Sequence, residues 1–167
     1  MSDFLLPKAL VDKAREVVEA NRKAGRRVAV AESCTGGLVA AAITEIPGSS
    51  EIFEAGFITY SNAAKLGQLK VSEDLVETFG AVSVAVAWAM ARGALLASEA
   101  DVAVAVTGIA GPSGGTPSKP IGTVVFARAE RDADPARIVA DQKVFEDNGR
   151  SGVRLQAALC ALELLIP

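Results

Sequence analysis

Three stretches of the chain place nucleophiles, bases and glycine turns at spacings that suit chemistry. The first, Ala31-Glu32-Ser33-Cys34-Thr35-Gly36-Gly37, runs from the end of a short apolar strand into a helix start. A serine on such a strand-to-helix turn is presented much as on a nucleophile elbow, although the G-x-S-x-G pattern is missing. A helix start also offers N–H groups to a phosphate or an oxyanion, and glycines let the backbone approach it closely. Thr35, Gly36 and Gly37 are the candidates for that contact. Ser33 and Thr35 would serve equally well as plain helix caps, so the heptapeptide alone leaves both roles open.

The second stretch is Tyr60-Ser61-Asn62-Ala63-Ala64-Lys65, with the only tyrosine of the chain at a strand end and the lysine on the next helical turn. A lysine amine titrates near ~10.4, and burial or a neighbouring cation lowers that value enough to make it a base. A solvated lysine is the plainer role. The third stretch, Thr107 to Pro120, holds four glycines and three prolines after an apolar strand. It matches neither a Walker A loop nor G-x-G-x-x-G, but exposed N–H groups in such a loop suit an anion. Thr107, Gly108 and Gly111 open it. Arg150, at the start of the last helix, is placed to clamp a phosphate or carboxylate.

Absences narrow the chemistry. With no histidine among the 167 residues, Ser-His-Asp triads and His-ligated metals are impossible within one chain. Two cysteines, Cys34 and Cys160, make neither a disulfide framework nor a four-Cys zinc site. No metal and no cofactor are therefore expected, and the base of any hydrolase must be Lys, a carboxylate, Tyr or a water held by them. A net charge of −3 without a basic stripe argues against nucleic acid. The longest uncharged stretch, Val102 to Ser118, is broken by Gly and Pro, whereas a membrane span needs ~20 apolar residues. No signal-peptide pattern is visible at the N-terminus, and a cytoplasmic protein is expected.

The elements that must position these residues alternate. Leu5 to Val18 repeats at helical spacing, with Pro7 near the start and Gly25 at the end, and Arg27 to Ala31 reads as a strand. Thr35 to Ile46 reads as a helix stopped by Pro47-Gly48, and Phe53 to Tyr60 as a strand. Ser61, Ser72 and Ser83 are expected N-caps, the last opening an Ala-rich helix through Ser98. Val102 to Val106 has the composition of an interior strand. Two more strands, Ile121 to Ala129 and Arg137 to Phe145, precede a final helix from Arg150 to Leu165. The fold class predicted is a three-layer α/β/α sandwich around a mixed, mostly parallel sheet of about five or six strands. One domain covers 1–167. The Ala-rich helix is apolar around most of its circumference, which points to burial against a second subunit, a homodimer being the commonest solution.

Ser33-Cys34-Thr35-Gly36-Gly37, Pro47-Gly48-Ser49-Ser50, Tyr60-Ser61-Asn62 with Lys65, Gly80-Ala81-Val82-Ser83, and Thr107-Gly108-Ile109-Ala110-Gly111-Pro112 through Lys119-Pro120-Ile121-Gly122-Thr123-Val124 occur in that order. The series resembles the CinA C-terminal domain family, the nicotinamide-nucleotide amidases, over nearly the whole chain. Longer CinA proteins carry an additional N-terminal domain, and this chain is expected to be a stand-alone amidase domain. The resemblance implies hydrolysis of nicotinamide mononucleotide to nicotinate mononucleotide and ammonia, in pyridine-nucleotide salvage and NAD metabolism. It implies Ser33 as nucleophile, Lys65 as general base, Tyr60 as support for the proton relay, and Thr107 and Arg150 as polar positions of the pocket. An oxyanion would be held by N–H groups near Thr35–Gly37 or Thr107–Gly108. Cys34 ranks below Ser33 as nucleophile, because nothing in the motif is arranged to make a thiolate. The alternative is a non-catalytic nucleotide-binding module, which the glycine loops and the arginine would serve equally well. A role in DNA uptake has no support in this composition.

Overall fold

A computed structural model describes residues 3–167. The chain alternates as expected: α1 (Lys8–Ala24), β1 (Val28–Glu32), α2 (Leu38–Thr44), β2 (Phe53–Ile58), α3 (Asn62–Leu69), α4 (Glu73–Phe79), α5 (Val84–Leu96), β3 (Val102–Gly108), β4 (Thr123–Glu130), β5 (Val139–Val144) and α6 (Gly149–Leu164). The five strands form one sheet in the order β2-β1-β3-β4-β5. β1 is parallel to both neighbours, and β4 is antiparallel to β3 and β5, so only β4 opposes the other strands. The mixed α/β sandwich read from the sequence is the observed architecture.

Strand alternation builds the layers. In β1 and β3 the valines Val30 and Val104 face α1, α2 and α6, while Ala29, Ala31, Ala103 and Ala105 face α5. Small alanines on that side let the helix lie close to the sheet. The same economy of size recurs at Gly93 on α5, where a Cβ would stand 2.2 Å from the Leu69 carbonyl oxygen. That glycine lets α3, which carries Lys65, pack directly on α5.

One expectation changes here, and the apolarity that pointed to a second subunit is accounted for within the chain. The Ala-rich helix α5 lies between the sheet and the helices α3 and α4, so most of its apolar circumference is covered within the chain. A second subunit is not needed to account for it. The helix expected from Thr35 starts only at Leu38, because Gly36 and Gly37 take left-handed backbone angles (φ 58° and 98°) that break the helical path. Ser61 and Ser83 cap α3 and α5 through their hydroxyls, whereas Ser72 occupies the cap position of α4 without a side-chain bond. Among the described residues no helix is long and apolar enough to cross a membrane.

Candidate functional site

In open α/β sheets a ligand crevice forms beyond the carboxyl ends of strands, where the chain departs to opposite sides. Here β1 lies between β2 and β3, and the ladder continues to its last residues: Ser33 N–H donates to Val106 O (2.9 Å) and Thr59 N–H to Glu32 O (2.8 Å). Ser33 follows Ala31 by two residues, so the period of the strand turns it to the α5 side of the sheet. Lys65 approaches from that side on α3, whose first turn is fixed by the Ser61 hydroxyl accepting from Ala64 N–H at 3.0 Å.

The two side chains meet, with Lys65 Nζ 3.0 Å from Ser33 Oγ. The amine also donates to the carbonyls of Thr59 (2.9 Å) and Tyr60 (3.2 Å), and the whole residue is 1% exposed. It forms no ion pair with a carboxylate among the described residues. Burial therefore lowers its pKa from the ordinary 10.5, against a smaller opposing effect from the Cys34 thiol. A neutral amine donates two hydrogens, which match the two carbonyls. In that state its lone pair would face Ser33 Oγ, whereas a charged amine donates its third hydrogen to that oxygen. Cys34 beside it is inert by comparison, since burial pushes its thiol up to about 11.

A cavity of about 250 Å³ opens on this pair. Of the residues singled out in the sequence, Ser33, Cys34, Lys65, Tyr60, Thr107, Gly108 and Arg150 line it. Thr107 is anchored by its hydroxyl to Ala81 O (3.0 Å), which ties the end of β3 to the segment before α5. Arg150 spans the mouth, donating to Gly111 O (2.7 Å) and to the Tyr60 hydroxyl (2.8 Å). The Tyr60 ring is 60% exposed, and its hydroxyl bonds to Arg150 rather than to Lys65 or Ser33. Its link to the lysine is the backbone carbonyl.

Thr35, Gly36, Gly37 and Gly111 stand outside the cavity wall. The start of α2 is already occupied: the buried Glu32 carboxylate accepts from Val39 N–H (3.0 Å), Ala40 N–H (3.1 Å) and the Thr35 hydroxyl (2.6 Å). Gly36 N–H donates to Ser33 O at 3.0 Å. A carboxylate from the preceding strand thus fills the place where the sequence offered a phosphate site. Among the described residues the N–H groups of Cys34, Thr35 and Ala110 donate to no other residue.

Asn62, Ala81, Val82 and Ala110 complete the lining and were not singled out in the sequence. Arg154 was also missed. Its Nε and Nη2 donate to Cys34 O and Thr35 O, both at 3.0 Å. A signal existed, because Arg150 and Arg154 are four apart on a helix and share a face. Among the described residues no group of three or more His, Cys, Asp or Glu side chains is placed to hold a metal. A second cavity of about 320 Å³, lined by Trp88, Arg128, Glu130, Ala133, Arg137 and Val139, holds no pairing of nucleophile and base.

With this geometry in view, the similarities to known proteins fall on one group. The family model for the CinA C-terminal domain matches residues 11–167. The chain is 50% identical over 156 residues to the nicotinamide-nucleotide amidohydrolase PncC of Enterobacter agglomerans, covering 93% of each chain. It is 53% identical over 146 residues to a putative competence-damage inducible protein of Symbiobacterium thermophilum, covering 84% of this chain and 34% of that longer protein. A crystal structure of a competence/damage inducible protein from Agrobacterium tumefaciens superposes with a TM-score of 0.92 at 45% identity, covering 99% of this chain and 98% of the other.

Proposed function

The chain belongs to the CinA C-terminal domain family, and from that premise we propose that it hydrolyses the carboxamide of nicotinamide mononucleotide, releasing ammonia and nicotinate mononucleotide. The observation that carries this reading is the buried Lys65 amine, 3.0 Å from Ser33 Oγ and without an ion pair among the described residues. A structural lysine at the surface would not be held this way.

Neutral Lys65 takes the proton from Ser33, and the oxygen attacks the carboxamide carbon. The carbonyl π electrons move to oxygen, giving a tetrahedral oxyanion next to the Cys34 N–H of the nucleophile turn. Lys65, now an ammonium, gives its proton to the departing nitrogen, which leaves as ammonia. Water then delivers a proton to Lys65 and its oxygen to the acyl carbon. Ser33 leaves with that proton, and nicotinate mononucleotide is released. The Tyr60 hydroxyl is committed to Arg150 in the free enzyme, so Lys65 handles both proton transfers directly. Arg150 supplies the cation at the mouth and suits the substrate phosphate. The lining contains no acidic side chain to repel it. The role that follows is pyridine-nucleotide salvage.

The test is ammonia release from nicotinamide mononucleotide by the whole chain and by Ser33→Ala. The variant is expected to lose turnover while still binding product. A wild-type chain that binds the nucleotide and returns it unchanged would instead be a binding module.

A further inference from the structure

Arg154 is the charged side chain next to the nucleophile that the reaction above leaves without a role. It lies on α6, half-buried, and forms no ion pair among the described residues. Its whole hydrogen-bonding effort goes into two successive backbone carbonyls, Cys34 O and Thr35 O, each at 3.0 Å. A planar guanidinium that grips two carbonyls in a row fixes two peptide planes, not merely a position.

The planes it fixes matter because a trans peptide points its C=O and N–H in opposite directions. With the Cys34 carbonyl held toward α6, the N–H of Thr35 in the same peptide unit is turned away from α6. The next unit is held at both ends, since Thr35 O binds Arg154 and Gly36 N–H donates to Ser33 O at 3.0 Å. Glu32 braces the turn from below through the Thr35 hydroxyl at 2.6 Å. What remains toward the cavity is the N–H of Cys34, which lines it and donates to no other residue although Cys34 is only 5% exposed; Thr35, 0% exposed, lies behind the wall. Buried N–H groups without a partner are rare in folded proteins. One beside a buried nucleophile, on the wall of the cavity, is a donor kept for something that arrives.

We propose that Arg154 is a positioning residue: by fixing the Thr35–Gly36 peptide, whose N–H binds Ser33 O, it sets the Ser33–Cys34 peptide so that the Cys34 N–H on the cavity wall serves as the oxyanion donor for the tetrahedral intermediate on Ser33. This rests on Ser33 being the nucleophile. Arg154 does not touch the substrate.

The experiment compares the wild-type chain with Arg154→Met and Arg154→Lys, measuring kcat and KM for nicotinamide mononucleotide, product affinity and melting temperature. Loss of one oxyanion donor commonly lowers kcat by ~100-fold or more, and misalignment should cost less, so Arg154→Met is expected to lose about 10- to 100-fold in kcat. KM and product affinity should change little, because the ground state makes no such demand. Arg154→Lys should fall between, as an ammonium attracts the carbonyls without fixing two planes. The pH at which kcat/KM rises should stay where it is in the wild type, since Lys65 is untouched.

An Arg154→Met enzyme with wild-type kcat overturns the inference, as does a rise in KM at constant kcat. Loss of activity in proportion to loss of folded protein also overturns it, and leaves Arg154 a purely structural anchor. If Arg154→Met does not fold, Arg154→Lys decides alone: its kcat must drop while KM and melting temperature hold. A Ser33→Ala variant that keeps turnover refutes the nucleophile assignment and this inference with it, whereas an active wild type with an unaffected Arg154→Met refutes this inference only.

Discussion

Replacing Lys65 by Met tests for a desolvated base, because only a lysine whose pKa is lowered in the folded state makes stability rise with pH. Methionine keeps the length of the apolar stem and removes the amine. Three contacts are lost, to Ser33 Oγ, Thr59 O and Tyr60 O, at ~1 kcal/mol each for a typical hydrogen bond. Against that stands the cost of burying the amine, which the variant no longer bears. The sign follows from proton counts. Burial lowers the folded-state pKa below the ordinary 10.5, so between those two values the unfolded chain carries one proton more than the folded one. Unfolding free energy then rises with pH in the wild type, by up to about 1.4 kcal/mol per pH unit from this group alone. Below the folded pKa both states are protonated and the contribution is flat. Lys65→Met lacks this dependence. Wild type minus variant should therefore slope upward with pH, starting at the folded pKa of Lys65. Urea unfolding of both proteins at a series of pH values from mildly acidic to alkaline measures it. The same onset should appear independently as the rising limb of kcat/KM, since only the neutral amine accepts the Ser33 proton. Parallel stability curves would mean that Lys65 ionises alike in the folded and unfolded chain. The desolvated base would then be wrong.

Other expectations are simpler to check. Cys34→Ala should retain most of the turnover, and the Cys34 thiol should resist alkylation at neutral pH and react only as pH approaches about 11; rapid labelling at pH 7 would contradict the burial argument. Arg150→Ala removes the cation at the mouth along with its bonds to Gly111 O and Tyr60 Oη. A charge-assisted contact of ~1.5–3 kcal/mol corresponds to about a 10- to 100-fold rise in KM, read from steady-state kinetics, with a smaller change in kcat. Gly93→Ala puts a Cβ 2.2 Å from Leu69 O, and overpacking of ~1–3 kcal/mol should appear as a lowered melting temperature together with weakened turnover as α3 shifts.

The elements of this protein were legible in the chain because each is dictated by neighbours in sequence. Pro7 and Gly25 bound α1, the Val-Ala alternation marks β1 and β3 as interior strands with a large and a small face, and Ser61 and Ser83 cap the helices they precede. These are effects of backbone geometry and periodicity within a few residues. The identity of Ser33 and Lys65 as a pair was accessible only through family resemblance, since a lysine 32 residues away carries no local sign of its partner. Tertiary structure decided what competes for each polar group. The start of α2 looked open to an anion until Glu32, one strand residue earlier, was found to occupy it. Tyr60 looked like a proton carrier until its hydroxyl was found on Arg150. Arg154 acquires its role only when α6, at the far end of the chain, packs beside the turn after β1. Likewise the apolarity of α5 suggested a second subunit until α3, α4 and the sheet were seen to cover it. Periodicity determines which face of an element is apolar, but which groups satisfy one another depends on distances across the fold, and those exist only once the layers have closed.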